Sequence, residues 1–228
     1  QIKIYGVQGS SSVNTITFNG ESGDSSVAGL HYQNSNPSND FTLGLVGTHH
    51  IFFNDLTVDR SNGTYAMLIQ GGAHDVTVTN SKLGGDVMSP RYSVDSVLTF
   101  VGNNMEGKNI TLHHPVGTDA GKVVIESNYL NNITLNNASE LSIKNNRGGN
   151  SISSVSDGEY RVDTSSNITF TNNRTESAIF HADTNVVFSS NVLRNNNRHR
   201  FYSLRGHNFS LSNNVYIGRY RHPVYIDN

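Results

Sequence analysis

Four ionisable residues in the second half of the chain stand at equivalent positions, each directly after a short segment with apolar first and third residues. If these segments are strands that stack side by side, the residues that follow them form one outward row. The other members of the row are Val46, Gln70, Val101 and Asp227. An acid, an imidazole and two cations in one line predict an acid–base site. Its predicted catalytic residues are Glu126, Lys144, His181 and Arg205.

Two kinds of polysaccharide cleavage fit such a row. Elimination from a uronic acid polymer needs a base beside a cation that stabilises the developing carbanion, and the three basic members of the row supply both without a metal. Hydrolysis needs two carboxylates roughly 5–10 Å apart, so Glu126 would need Asp119 or Asp183 as its partner. The row is predominantly basic, which favours elimination. Simple cross-strand pairing of Glu126 with Lys144 is the structural alternative.

Two segments near the end of the chain are rich in arginine, histidine and tyrosine. Arginine binds carboxylates through two hydrogen bonds, and planar side chains pack against sugar rings. These segments are therefore interpreted as a strip for an anionic or hydroxyl-rich polymer, with solvated loops as the alternative. The predicted substrate-binding residues are Arg198, His199, Arg200, Tyr202, Arg219, Tyr220, Arg221 and His222.

A repeated phrase supplies the elements that must position these residues. A polar residue precedes three residues with apolar first and third positions, and a small polar residue follows, as in Asn132-Ile133-Thr134-Leu135-Asn136. Each copy is a strand that can bury its apolar face only by stacking on the next copy. The chain is therefore predicted to be all-β, a parallel β-helix (solenoid) of about eight coils. A β-sandwich is the rival, but its strands would recur at shorter intervals with hairpin turns.

The β-helix is expected to form a single domain over residues 1–228. Both ends of the chain are strand-like and lack polar caps, which indicates a fragment of a longer chain. The polar residues at the heads of the phrases are predicted to stack as one structural ladder, because Asn tolerates left-handed backbone angles and hydrogen-bonds along a stack. That ladder comprises His50, Asp75, Asn109, Asn132, Asn167, Asn185 and Asn208.

Composition excludes several classes of function. Charged residues make up 15% of the chain and the formal net charge is -2, so nothing suggests nucleic acid. No stretch approaches the ~20 apolar residues of a membrane span, and cysteine is absent. No phosphate-binding loop or nucleophile elbow occurs. The pairs His49-His50 and His113-His114 could bind a metal, but neighbours on a strand point opposite ways, so no metal or other cofactor is expected.

Over nearly all residues, this repeat resembles the right-handed parallel β-helix proteins of the pectin-lyase-like superfamily. Its Asn- and Ser-rich, cysteine-free character is similar to that of bacteriophage tailspike depolymerases. The resemblance implies a right-handed coil, a homotrimer, a location on a virion tail or outside the cell, and polysaccharide sites on loops or between subunits. The polygalacturonase signature and the Asp-Pro-His of mannuronan epimerases are absent.

One local stretch is similar to chondroitinase-B-like alginate lyases. Leu204-Arg205-Gly206-His207, followed by Asn213-Asn214-Val215-Tyr216-Ile217-Gly218, resembles their Leu-Arg-His-Gly…Asn-x-Phe-x-Gly stretch, in which the Arg is catalytic. Gly and His are exchanged here, and His181 stands where the family has a Lys one coil earlier. The resemblance therefore adds to the lyase interpretation through Arg205.

The sequence thus predicts a chain that binds and degrades an anionic surface polysaccharide, as a tailspike-type depolymerase with lyase or glycoside hydrolase activity. A secreted uronate-polymer lyase is one alternative. A non-catalytic β-helical adhesin or fibre segment is another. The expected partner is polysaccharide, with no nucleic acid and no membrane span.

Overall fold

The computed structural model describes residues 2–7, 15–20, 29–32, 41–60, 65–90, 97–113, 121–136, 138–148, 159–163, 165–195, 202–218 and 224–227. Within these ranges every regular element is a β-strand. The strands are β1 (Ile2–Tyr5), β2 (Ile16–Asn19), β3 (Gly29–Tyr32), β4 (Phe41–Val46), β5 (His49–Asn54), β6 (Thr57–Arg60), β7 (Tyr65–Gln70), β8 (His74–Thr79), β9 (Lys82–Leu83), β10 (Asp86–Met88), β11 (Leu98–Val101), β12 (Ile110–His113), β13 (Lys122–Glu126), β14 (Tyr129–Leu130), β15 (Ile133–Asn136), β16 (Glu140–Lys144), β17 (Arg147–Gly148), β18 (Glu159–Asp163), β19 (Ser166–Thr171), β20 (Arg174–Thr175), β21 (Ser177–Ser189), β22 (Val192–Asn195), β23 (Tyr202–Ser212), β24 (Val215–Gly218) and β25 (Val224–Asp227).

Successive strands fall on three faces of a parallel β-helix, and each strand pairs in parallel with strands of the neighbouring coils. Face 1 contains β1, β4, β7, β10, β12, β15, β18, the first part of β21, the first part of β23, and β25. Face 2 contains β2, β5, β8, β11, β13, β16, β19 and the second parts of β21 and β23. Face 3 contains β3, β6, β9, β14, β17, β20, β22 and β24. Nine described strand levels stack on face 2, so the predicted parallel β-helix is confirmed.

The core is a set of stacked columns of inward side chains. Strand residues alternate between the inside and the outside, so one inward position per coil produces a continuous apolar column. Phenylalanines extend this stacking: the Phe170 and Phe188 rings lie 5.1 Å apart and nearly parallel, and Phe180 meets Phe170 edge to face at 5.6 Å. The first inward column of face 2 is buried at seven consecutive levels, at Ile51, Val76, Leu98, Val123, Leu141, Ile168 and Val186. Ile16 and Phe209, at the two ends of the column, are only partly buried.

A buried asparagine ladder fixes the turn from face 2 to face 3. In one step of it, Asn146 Oδ1 accepts the backbone N–H of Asn128 at 3.0 Å, and Asn146 Nδ2 donates to the Ile125 carbonyl at 2.7 Å. The residue before each buried Asn has a positive φ, as at Ser127 and Asn145. The side chains therefore satisfy backbone groups that the turn leaves unpaired. The ladder consists of the buried Asn103, Asn128, Asn146, Asn173 and Asn191 and, at its end, the partly buried Asn214.

The polar residues at the heads of the phrases form two separate ladders on different faces. The prediction of a single ladder was therefore wrong. At the start of face 2, Asn185 donates to Asn167 and Asn208 donates to Asn185, each at 3.0 Å. At the start of face 1, Asn132 donates to Asn109 at 2.8 Å. Their structural role as stacked turn residues is confirmed.

The single ladder fails because two strands of face 1 lack the repeated phrase. Strand β10 follows Gly84-Gly85 and is short, and β18 lies inside a segment that reads as a loop insertion. Leaving both out assigns the strands between them to the wrong face. Leu98, for example, stacks on Val76 of face 2.

Candidate functional site

A shallow depression lies on the outer surface of face 2, over β13, β16 and β19. Its volume is about 380 Å³. The lining is charged at both ends and carries two hydroxyl groups between them. The lining residues are Lys122, Val124, Glu126, Glu140, Leu141, Ser142, Lys144, Asn167 and Thr169.

The strand alternation explains why these side chains meet. Val123 and Ile125 of β13 are fully buried, so Lys122, Val124 and Glu126 between and beside them point outward. Strand β16 repeats the pattern one coil further on. Its register with β13 pairs Lys122 with Glu140 and Glu126 with Lys144.

Glu126 is held by two partners from the next coil. The Ser142 hydroxyl donates to Glu126 Oε1 at 2.7 Å, and Lys144 Nζ lies 4.0 Å from the same oxygen. The side chains of Glu126 and Lys144 are 31% and 39% exposed. An oriented carboxylate therefore lies next to an ammonium group, and both are accessible from the depression. The predicted cross-strand pairing of these two residues is confirmed.

Two further residues of opposite charge, neighbours in the strand register, occupy the other end of the depression. Lys122 and Glu140 lie four residues before Glu126 and Lys144 on the same two strands, which is ~13 Å at the usual strand rise. Each strand therefore carries one cation and one anion, and their order along the strand is reversed between β13 and β16. The depression consequently carries two cations and two anions, and its two carboxylates are too far apart for a glycosidase pair.

The other two predicted catalytic residues lie on a different face. The backbone register of β21 and β23 pairs His181 with Arg205 on face 1, and Arg205 in turn with Asp227. On face 2, Lys144 is followed by Thr171 in the next coil. The prediction that the four residues form one row is therefore wrong. Glu126 and Lys144 are neighbours on face 2, whereas His181 and Arg205 are neighbours on face 1.

The predicted substrate-binding residues are mostly outside the described part of the chain. Tyr202 is the first residue of β23, in register with Ala178 on face 1. The other seven lie outside the described residues, and so does Asp119. They are Arg198, His199, Arg200, Arg219, Tyr220, Arg221 and His222.

Asp183 does not act as a second carboxylate beside Glu126. It is fully buried at the corner where β21 passes from face 1 to face 2. Its Oδ1 accepts the backbone N–H of Ser165 at 2.5 Å, and the Ser165 hydroxyl accepts the N–H of Ala138. Asp183 is therefore part of a turn ladder, and its proposed partnership in hydrolysis is wrong.

Sequence reasoning missed a histidine cluster at the corner between face 1 and face 2. Asp75 Oδ2 lies 3.2 Å from His50 Nδ1 and 3.1 Å from His74 Nδ1. The His49 ring stacks on the His74 ring with centroids 4.5 Å apart. The positive φ of His50 and of Asp75 turns both residues out of the strand alternation. The sequence did carry a signal for this cluster. Two consecutive phrases begin with a histidine followed by a polar residue, at His49-His50 and His74-Asp75.

Further findings limit the class of site. No group of three His, Asp or Glu side chains in the described ranges is placed to hold a metal ion. The same ranges contain no helix long and apolar enough to cross a membrane. The molecule is thus defined as a parallel β-helix with a charged depression on one flat face. No protein-family model, curated protein or solved structure matches the chain.

Proposed function

We propose that this chain binds and cleaves an extended uronate-containing polysaccharide on face 2, as a tailspike-type depolymerase of the pectin-lyase-like kind. The observation that carries the proposal is the pairing of Glu126 with Lys144 inside an open depression on a long, flat strand surface. A polymer can lie on such a surface without having to enter a closed pocket. The Thr169 hydroxyl can donate to or accept from sugar hydroxyls, and the Ser142 oxygen, whose hydrogen is donated to Glu126, can accept from them.

The geometry supports elimination more than hydrolysis. Hydrolysis uses two carboxylates roughly 5–10 Å apart, and Glu140 lies ~13 Å along the strand from Glu126. Elimination uses a base next to a cation, and the 4.0 Å separation of Lys144 Nζ from Glu126 Oε1 provides that arrangement.

The proposed reaction assigns one role to each residue. The Lys144 ammonium binds the uronate carboxylate and stabilises the negative charge that develops there. Glu126, whose Oε1 is oriented by Ser142, takes the proton from the carbon next to that carboxylate through Oε2. The electron pair forms a carbon–carbon double bond, the bond to the glycosidic oxygen breaks, and that oxygen takes a proton from water. The hydroxide that remains takes the abstracted proton from Glu126, which restores the base.

The setting of the proposal follows from the resemblance to tailspikes. A homotrimer on a virion tail, or a secreted lyase, would present face 2 to a surface polysaccharide. A non-catalytic adhesin or fibre segment is the second candidate. The separation of His181 and Arg205 from face 2 favours it, because only two of the four predicted catalytic residues share the depression.

Incubation with polygalacturonate, alginate and hyaluronate tests the proposal, with the ultraviolet absorbance of the unsaturated product as the readout. Glu126→Gln should lower cleavage of the active polymer at least about 100-fold while binding remains within a few-fold. Lys144→Gln should weaken both binding and cleavage.

Glu106→Gln is the matched control, because this exposed glutamate lies in a turn outside the depression. Its activity should equal that of the unaltered chain. If a polymer binds but is not cleaved, the result favours the non-catalytic adhesin or fibre segment over the depolymerase. If the chain neither binds nor cleaves any of these polymers, the proposal is contradicted.

A further inference from the structure

We infer that Phe52, His50 and His74 form a second sugar-binding subsite on face 2, which takes a pyranose ring of the same polysaccharide chain. The inference rests on the proposed function, since it assumes a polymer that lies along face 2. It adds the direction of that polymer, which would run across the coils, parallel to the axis of the β-helix.

The hydrogen bond of Asp75 determines the tautomer of one imidazole. An ionised carboxylate can only accept, so His74 donates from Nδ1 to Asp75 Oδ2 at 3.1 Å, and His50 Nδ1 lies 3.2 Å from the same oxygen. In the neutral His74 ring Nε2 is then the nitrogen with a lone pair. The cluster therefore carries an acceptor of the kind that binds sugar hydroxyls.

Phe52 supplies an apolar surface on the same strand. It lies two residues after His50 on β5, between the buried Ile51 and Phe53, and therefore points outward. Phe52 is 39% exposed. Its registered neighbours on the adjacent strands are Thr17 and Thr77, whose short side chains leave the ring prominent on the face. An exposed aromatic ring can pack against the C–H groups of a pyranose.

The register connects this subsite to the depression. Phe52 is followed coil by coil at the same outward position by Thr77, Thr99 and Val124, and Val124 lines the depression. Three coil steps span ~14 Å. Between the aromatic ring and the depression the row therefore carries threonine hydroxyls, which a bridging polysaccharide can contact. A chain that follows this row contacts both sites, whereas a short oligomer reaches only one.

Oligomer length is the variable that tests the subsite. The probes are size-fractionated oligomers of polygalacturonate, alginate and hyaluronate, with affinity measured by calorimetry. Phe52→Ala should raise the Kd roughly tenfold for long oligomers, as expected for the loss of an aromatic contact. It should leave the Kd of the shortest bound oligomers unchanged. His74→Gln should show the same dependence on length.

Two further variants make the result decisive. Phe52→Leu keeps apolar volume but removes the ring, so it should resemble Phe52→Ala even if the alanine variant is poorly folded. Tyr5→Ala removes an exposed aromatic on face 1 and should have no effect. If Phe52→Leu and His74→Gln leave the Kd for long oligomers unchanged while Glu126→Gln still lowers cleavage at least about 100-fold, the subsite is overturned and the proposed function stands. If no oligomer binds the unaltered chain, both proposals are overturned.

Discussion

Lys144 lies one coil beyond Glu126 on face 2, with its ammonium nitrogen 4.0 Å from Glu126 Oε1, and the next strand of that face presents Thr171. This relationship confines the candidate chemistry to one carboxylate and one cation. It also separates that pair from His181 and Arg205, which the sequence groups with it.

Removing the Ser142 hydroxyl should weaken catalysis through the orientation of Glu126. Ser142 donates to Glu126 Oε1 at 2.7 Å, and hydrogen bonds to charged groups contribute about 1.5–3 kcal/mol. In Ser142→Ala we expect cleavage of the active polymer to fall about tenfold or more, as measured by initial rates. Ser210→Ala makes the same chemical change at an equivalent exposed position of face 2 and serves as the control. Equal rates for the two variants would argue against the orienting role.

The buried asparagine ladder should be essential to stability. Asn146→Ala removes the acceptor of the Asn128 backbone N–H and the donor to the Ile125 carbonyl, in a position that is 1% exposed. Leaving buried polar groups unpaired should lower the free energy of unfolding by about 2–4 kcal/mol in denaturant titrations. In Asn172→Gly, the change removes an exposed side chain but keeps the left-handed backbone, and we expect a loss below ~1 kcal/mol. A similar loss in both variants would contradict the special role of the buried ladder.

Thr48 offers a way to stabilise the molecule. Its side chain is completely buried, and Oγ1 has no hydrogen-bond partner among the described residues. Thr48→Val replaces the unpaired hydroxyl by a methyl group of similar size, so the free energy of unfolding should rise by about 1–2 kcal/mol.

Thr175→Val is the comparison for Thr48→Val. Thr175 is equally buried, but its hydroxyl donates to the Ser177 carbonyl at 3.0 Å. The same substitution should therefore destabilise here. If denaturant titrations gave shifts of the same sign for both variants, hydrogen-bond satisfaction would not be the cause.

The sequence was sufficient to predict the parallel β-helix because its signal is local and repeated. Each Asn-Ile-Thr-Leu-type phrase specifies a strand with one buried side, as Ile133 and Leu135 show. It was not sufficient to count the coils on each face. Strands β9, β14, β17 and β20 have only two residues each, too few to show an alternation, and β10 follows two glycines.

The candidate site was predicted in part for the same reason. Glu126 and Lys144 lie on consecutive strands that both carry the repeat, so their neighbourhood could be derived by counting. His181 was assigned to the wrong neighbour because the unrecognised β18 lies between it and Lys144 along the chain. The histidine cluster depends on the left-handed backbone of His50 and Asp75, which alternation alone does not predict.

Paired cysteines test the register most directly, because the chain contains no natural cysteine. Neighbouring strands lie about 4.8 Å apart, within the Cα separation that a disulfide accepts. The double variant Lys144→Cys with Thr171→Cys should form an intramolecular disulfide on mild oxidation, and Lys144→Cys with His181→Cys should keep two free thiols. A disulfide in the second variant and free thiols in the first would contradict the assignment of Lys144 and His181 to different faces.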